Sequence, residues 1–220
     1  MLAAILFDLD GTLANTDPIH FLTWQELLRT YDLEIDETFY KSRISGRLNP
    51  VIVQDILPHL TASEGKRVAD EKEAHFRLLA TELQCLPGLL DVLAWTDECR
   101  LQRALVTNAP RANAEFMLEV LELIEIFPQV ILAEDAPAGK PDPAPYLLAL
   151  SRLGVKPEEA LAFEDSPSGI RSAVAAGIYT VGIASTHPSQ NLFDAGAAMV
   201  IPDFTDSQLW SFLRSSDIAG

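Results

Sequence analysis

"AAILFDLDGTLANTDPIH", residues 3–20, runs from an unbroken apolar stretch into two aspartates, Asp8 and Asp10, and on through a glycine–threonine pair to a helix start at Asp17-Pro18. So short an apolar run suits a strand covered on both faces. Similar runs recur at 102–107 (QRALVT), 129–133 (QVILA), 160–165 (ALAFED), 180–184 (TVGIA) and 198–201 (AMVI). Helical patterns separate them at about 88–98, 112–124, 143–153, 168–176 and 205–214. Strands alternating with helices imply an α/β fold, a doubly wound parallel sheet with helices on both faces.

Residues 17–82 break this rhythm, since no convincing strand lies there. Asp17 is suited to cap a helix with Pro18 at its first position, and Ile19, Leu22, Trp24, Leu27, Leu28 and Tyr31 follow at roughly helical spacing. "TASE" (61–64) matches a capping box ahead of another long helix. The expected division is an α/β core of residues 1–16 and 83–220, interrupted by a helical cap of residues 17–82.

The chain carries 16 basic against 32 acidic residues, a formal charge of −16. That balance argues against general binding to nucleic acid or an anionic membrane, and a small anion would need a local positive site. Cys85 and Cys99 are too few for a disulfide-stapled fold and read as free thiols. The N-terminal stretch lacks a basic region and meets Asp8 early, unlike a secretory signal, and no apolar run approaches membrane-spanning length. The expected location is cytoplasmic. Oligomeric state is not legible, and a monomer is compatible with everything above.

In open α/β sheets ligands bind beyond the carboxyl ends of the strands. Asp8, Asp10, Thr107, Asn108, Glu164 and Asp165 all fall at such ends. Several carboxylates in one crevice cost several kcal/mol unless a cation compensates them. Oxygen-only ligands favour a hard ion, and a shallow site with room for water and phosphate favours Mg²⁺ over Ca²⁺. Lys140, in "AGKPDP", adds a positive charge on a loop stiffened by Pro141 and Pro143. A cation beside a fixed lysine is suited to phosphoryl chemistry. Taken singly, each feature has a plainer reading: Asp-x-Asp-Gly is a common turn, Thr107-Asn108 and Glu164-Asp165 could cap helices, and a lysine is usually solvated. Their order on successive strand ends favours a shared site.

These residues resemble the haloacid dehalogenase superfamily of aspartate-nucleophile phosphotransferases. "DLDGTL" is similar to its first motif, "LVTNA" to its second, "GKPDP" to its third and "FEDSPSGIRSAVAAG" to its fourth, in the family's order. The helical insertion resembles the cap of the β-phosphoglucomutase and phosphoglycolate phosphatase branch. The resemblance implies a Rossmann-like core and assigns roles. Asp8 would be the nucleophile, forming an aspartyl-phosphate, and Asp10 the general acid and base. Thr107 and Asn108 would bind phosphoryl oxygens, and Lys140 would offset charge on phosphate and on Asp8. Magnesium would be held by Asp8, the Asp10 carbonyl and Asp165, with Glu164 as a ligand or just behind the ligands. In the cap, His20 and Trp24 of "HFLTW" resemble the histidine and tryptophan of the β-phosphoglucomutase branch, whose histidine faces the substrate, Gly46-Arg47 a loop whose arginine meets a distal phosphate or acidic group, and Lys72 a substrate-facing lysine; a core or surface pairing is the alternative for His20 and Trp24, and plain surface positions for Arg47 and Lys72. In the fourth motif Ala173, Ala175 and Ala176 should let a helix approach the sheet closely, and Gly177 should end it.

Two reactions are compatible with this pattern: hydrolysis of a small phosphorylated metabolite, a sugar phosphate, or hexose phosphate mutation by return of the phosphoryl group. "TNAP" resembles the sugar phosphatases more than the mutases, which favours hydrolysis. A phospho-receiver module would share the acidic cluster, threonine and lysine, but the insertion and the Asp-x-Asp-Gly-Thr spacing oppose it. No G-x-G-x-x-G follows a strand, and the lysine of "GK" precedes proline, so dinucleotide and P-loop sites are excluded.

Overall fold

The computed structural model describes residues 1–215 of the 220-residue chain. These form two compact units, 1–15 with the chain from residue 84 onward, and 16–83. The first unit is built on a parallel sheet of six strands: β1 (Ala4–Phe7), β2 (Gln102–Thr107), β3 (Val130–Leu132), β4 (Ala160–Glu164), β5 (Tyr179–Ile183) and β6 (Met199–Ile201). The second carries helices α1 (Asp17–Arg29), α2 (Glu37–Arg43), α3 (Asn49–Ile56) and α4 (Ala62–Leu79). This helical cap is inserted after β1. Helices α5 (Leu89–Glu98), α6 (Arg111–Val120), α7 (Ala144–Leu153), α8 (Pro167–Ala175), α9 (Ser189–Asp194) and α10 (Ser207–Leu213) belong to the first unit. No helix of the described residues is long and apolar enough to cross a membrane.

The strands run in the order β3-β2-β1-β4-β5-β6, so the chain reverses its direction of growth between β1 and β4. A ligand crevice is expected there, at the carboxyl ends of these two strands. Both faces of the sheet are covered, as continuous apolarity requires. Ala4 and Leu6 pack with Val106, Ile131, Tyr146 and Ala162 on one face. On the other, Phe7 stacks on Phe163 at 5.4 Å and meets Phe127 edge-on at 5.6 Å.

Helix α8 needs small residues because it begins against the site. The Ser166 side chain caps it by accepting from the Gly169 N–H. A Cβ at Gly169 would overlap the Glu164 carboxylate. Ala173 and Ala176 are buried as expected, but Ala175 is exposed, because it falls on the outward side of the helix. Only two of the three alanines therefore serve close packing.

The cap core gathers Trp24, Leu28, Tyr40, Ile52, Val53 and Val68. The capping box at Thr61 and Glu64 forms as expected. Asp17 does not cap α1: the residue at the cap is Thr16, whose carbonyl starts the helix, and Asp17 lies inside the first turn. Its carboxylate is drawn away to accept from Tyr40 Oη at 2.7 Å and Ser45 Oγ at 3.2 Å, binding α1 to the end of α2.

The tightest test of this packing is Gly169→Ala. Overpacking of this kind costs about 1–3 kcal/mol. The urea midpoint should fall accordingly, whereas Ala175→Ser on the exposed side should leave it unchanged.

Candidate active site

Strand register assembles the site. Phe7 pairs with Phe163 on β4 and with Leu105 on β2, so the next step along β1 sets Asp8 beside Glu164 and Val106. The Asp8 N–H still donates to the Phe163 carbonyl at 3.0 Å, holding the backbone in strand geometry as the side chain leaves it. The chain then turns at Gly11, whose φ of +77° lies in the left-handed region, and the Gly11 N–H closes the turn on the Ala14 carbonyl at 2.8 Å. A side chain at Gly11 would also collide with the Asp165 carboxylate. Glycine is therefore required twice over, by conformation and by space.

Into this crevice the loop before α7 sends Lys140, which is 5% exposed. Its ammonium donates to Asp8 Oδ1 at 2.6 Å, Glu164 Oε1 at 2.5 Å and the Val106 carbonyl at 2.6 Å. An ammonium has three protons, so these contacts use all of them. Asn108 holds the lysine's backbone from both sides, donating through Nδ2 to the Lys140 carbonyl at 3.1 Å and accepting at Oδ1 from the Lys140 N–H at 2.9 Å. Its carboxamide is thus engaged in fixing the lysine loop. Thr107, beside it, accepts from the Ala109 N–H at 2.9 Å, which leaves its hydroxyl proton to be donated.

Asp8, Glu164 and Asp165 are all buried, and each offers a carboxylate oxygen within 4.8 Å of the others. Asp10, one step outside, is half-buried. Burial pushes Asp8 up to about 7 despite the opposing pull of Lys140, with Glu164 adding repulsion. Burial likewise holds Asp165 well above the carboxylate range, aided by Asp8 and Glu164. Lys140 moves the other way: burial would lower it, but Asp8 and Glu164 outweigh that and bring it to about 12. Three carboxylates against one ammonium leave two formal negative charges, the charge that a divalent cation balances. Glu164 Oε2 is buried and accepts no hydrogen bond. An all-oxygen donor set with an unsatisfied oxygen and an uncompensated double charge fits Mg²⁺.

Two contributors gave no sign in the sequence. Tyr146 of α7 donates from Oη to Glu164 Oε1 at 2.6 Å, and its ring centre lies 5.3 Å from Lys140 Nζ, bracing acid and base together. Thr186, after β5, donates from its hydroxyl to Asp165 Oδ2. Both reach strand-end carboxylates from 18 and 21 positions away in the chain, so no local spacing could announce them.

The cap's predicted residues fall into two groups. Lys72 is buried, donates to Glu73 Oε1 at 2.9 Å and lies 2.7 Å from His20 Nδ1. Since an ammonium only donates, that ring nitrogen accepts and the imidazole proton sits on Nε2. The His20 ring stacks on Phe76 at 4.2 Å. Burial raises Glu73, but the Lys72 ammonium and the Asn49 amide outweigh it and hold the carboxyl below its usual range. Arg47 lies outside this cluster. It is exposed and donates to Asp55 Oδ2 at 2.9 Å, an oxygen shared with Arg43.

The family model of the haloacid dehalogenase-like hydrolases matches residues 5–183. The validoxylamine A 7'-phosphate phosphatase of Streptomyces hygroscopicus subsp. limoneus is 34% identical over 212 residues, which are 94% of this chain and 96% of that protein. A phosphorylated carbohydrates phosphatase of Thermotoga maritima is 35% identical, over 91% of this chain and 94% of that one. The crystal structure of a family IA, variant 3 hydrolase from Entamoeba histolytica superimposes with a TM-score of 0.87 at 28% identity, covering 96% and 99% of the two chains. The chain belongs to the haloacid dehalogenase superfamily, in the capped branch of the β-phosphoglucomutases and phosphoglycolate phosphatases. It is a phosphatase of that family, a phosphoric monoester hydrolase.

The raised carboxylates set a pH dependence. An acid whose pKa is higher folded than unfolded binds more protons in the native state, so the metal-free protein should lose stability as pH rises from about 4 to about 7. A cation must displace the protons held there, so Mg²⁺ affinity should fall as the pH drops below about 7. Thermal unfolding of EDTA-stripped protein should show a larger rise with Mg²⁺ at pH 8 than at pH 5. Equal rises would contradict the assignment.

Proposed function

We propose that the protein hydrolyses a small phosphorylated sugar through an aspartyl-phosphate on Asp8. The observation that carries this reading is the Asp8 carboxylate, buried at the end of β1, held by Lys140 and crowded by Glu164 and Asp165. A carboxylate so placed is oriented and stripped of water, as a nucleophile toward phosphorus must be. One carboxylate oxygen of Asp8 forms the P–O bond while the bond to the sugar oxygen breaks, and Asp10 gives that oxygen its proton. A water then attacks phosphorus, Asp10 takes the water's proton, and inorganic phosphate leaves with Asp8 restored. The half-buried setting of Asp10 suits a group that exchanges protons with water.

Asp8, Asp165 and the Asp10 carbonyl would hold Mg²⁺, with Glu164 at or behind the ligands. When bound, the ion supplies charge compensation for the phosphoryl oxygens and the carboxylates. Lys140, brought to about 12 by Asp8 and Glu164, fixes Asp8 and keeps positive charge beside it at neutral pH. Thr107, through its hydroxyl, and residue 108, through its backbone, are proposed to bind phosphoryl oxygens. His20 and Lys72 are proposed to read the substrate beyond its phosphate.

Hydrolysis is favoured over mutation by the state of the cap's cations. A mutase must grip a second phosphate, yet Lys72 is paired with Glu73 and Arg47 with Asp55. Relatives named for phosphorylated carbohydrates support the substrate class.

Asp8→Asn should abolish turnover, with the unfolding midpoint retained; activity within tenfold of wild type would remove Asp8 from the role of nucleophile. Incubation with β-glucose 1-phosphate and a trace of the 1,6-bisphosphate should release inorganic phosphate without accumulating glucose 6-phosphate; the reverse would make the enzyme a mutase. His20→Ala should lower kcat/KM for the best sugar phosphate more than for an aryl phosphate, which offers no sugar hydroxyls to read. Equal losses would return His20 to a packing role.

A further inference from the structure

Asp8 and Asp165 are both raised by burial, but they are held differently. Asp8 is fixed by an ammonium, whereas the donor to Asp165 Oδ2 is the hydroxyl of Thr186. His187 Nδ1 lies 2.9 Å from the same hydroxyl oxygen. A hydroxyl has one proton and a carboxylate ionised to hold a cation only accepts, so in that state the Thr186 proton goes to Asp165 and its oxygen receives the proton of His187 Nδ1. The direction of the chain of bonds is therefore His187 to Thr186 to Asp165.

The segment carrying these residues is itself anchored at both ends of the problem. Ser185 Oγ donates to the Gly11 carbonyl at 2.5 Å, tying the segment to the turn that follows Asp8 and Asp10. The Ala184 N–H donates to the Ile201 carbonyl at 2.8 Å, continuing the sheet pairing to β6. A Cβ at Gly11 would lie 2.8 Å from Thr186 Cγ2, so the methyl is packed against the turn and the hydroxyl cannot rotate away freely.

We propose that Thr186 is a positioning residue for Asp165, aligned in turn by His187, and that this pair sets the affinity of the site for its divalent cation. With Oδ2 committed to Thr186, the carboxylate cannot spin about its last torsion, and Oδ1 is presented in one orientation. Without the hydroxyl a buried carboxylate would lose its donor and its alignment together. The inference rests on the reading of Asp165 as a metal ligand.

The test is calorimetric titration of the EDTA-stripped full chain with MgCl₂, alongside the unfolding midpoint without metal. Thr186→Val keeps the side-chain shape and removes the hydroxyl. It should weaken Mg²⁺ binding about 10- to 100-fold, the usual effect of losing a partner that orients a ligand. Thr186→Ser should restore affinity close to wild type, and His187→Phe should weaken it by less than the valine variant does. A purely structural threonine would instead lower the metal-free midpoint and leave the Mg²⁺ titration in place. A valine-variant titration that superimposes on wild type overturns the proposal; if that variant does not fold, an unchanged titration of His187→Phe overturns it. Failure of the wild-type chain itself to bind Mg²⁺ would overturn the metal reading first and this proposal with it.

Discussion

One buried ammonium organises the catalytic unit. Lys140 spends its three protons on Asp8, Glu164 and the Val106 carbonyl, groups that come from three adjacent strands. Removing the lysine charge would leave carboxylates that the sheet register forces together with nothing to offset them. The cost of such an uncompensated charge is about 3–5 kcal/mol, a large fraction of a domain's stability. The rest of the site can be understood as what keeps the ammonium in place. Asn108 clamps its backbone, Tyr146 supports its carboxylate partner, and Gly169 leaves room for that carboxylate beside α8.

Sheet topology supplies the other half. Because β1 and β4 are neighbours on either side of the reversal in strand order, the residue after β1 meets the last residue of β4 without any loop having to reach. Such a position is rigid on one side and open on the other. Asp8 and Glu164 inherit the rigidity and are buried, while Asp10 has left the strand and is half-buried. Two carboxylates two residues apart thus receive opposite environments, the condition for one to attack and the other to shuttle protons.

Much of this was legible in the sequence because it is written locally. Short apolar runs mark strands buried on both faces, and five of the helices of the first unit lie where periodicity puts them. Three of the four motifs mark strand ends, and "GKPDP" lies on the loop before α7. What escaped was written at a distance. Thr186 meets Asp165 across 21 positions and Tyr146 meets Glu164 across 18. Asp17 carries every local mark of a helix cap, yet Tyr40 and Ser45 compete for its carboxylate and win. Short α9 lacked the length to show a period, and α6 stops at Val120, before the periodic pattern ends, as Glu122 takes a φ of +59°. Asn108 follows β2 beside the crevice, but its side chain serves the lysine backbone, a use that no spacing reveals.

The two buried lysines make the final contrast. Lys140 pairs with two carboxylates of a cluster of three and leaves a double negative formal charge, so its surroundings call for a cation and, through it, for phosphate. Lys72 pairs with the carboxylate of Glu73, one charge against one; around them stand an imidazole nitrogen that accepts, an amide from Asn49 and the faces of Trp24 and Phe76. A balanced cluster of donors and acceptors has little to gain from a second phosphate, which would have to compete with Glu73 for the ammonium. It has more to gain from hydroxyls, which both give and accept hydrogen bonds without bringing charge. The same residue type therefore encodes opposite demands in the two units, and the number of carboxylates around each lysine, rather than the lysine itself, decides which.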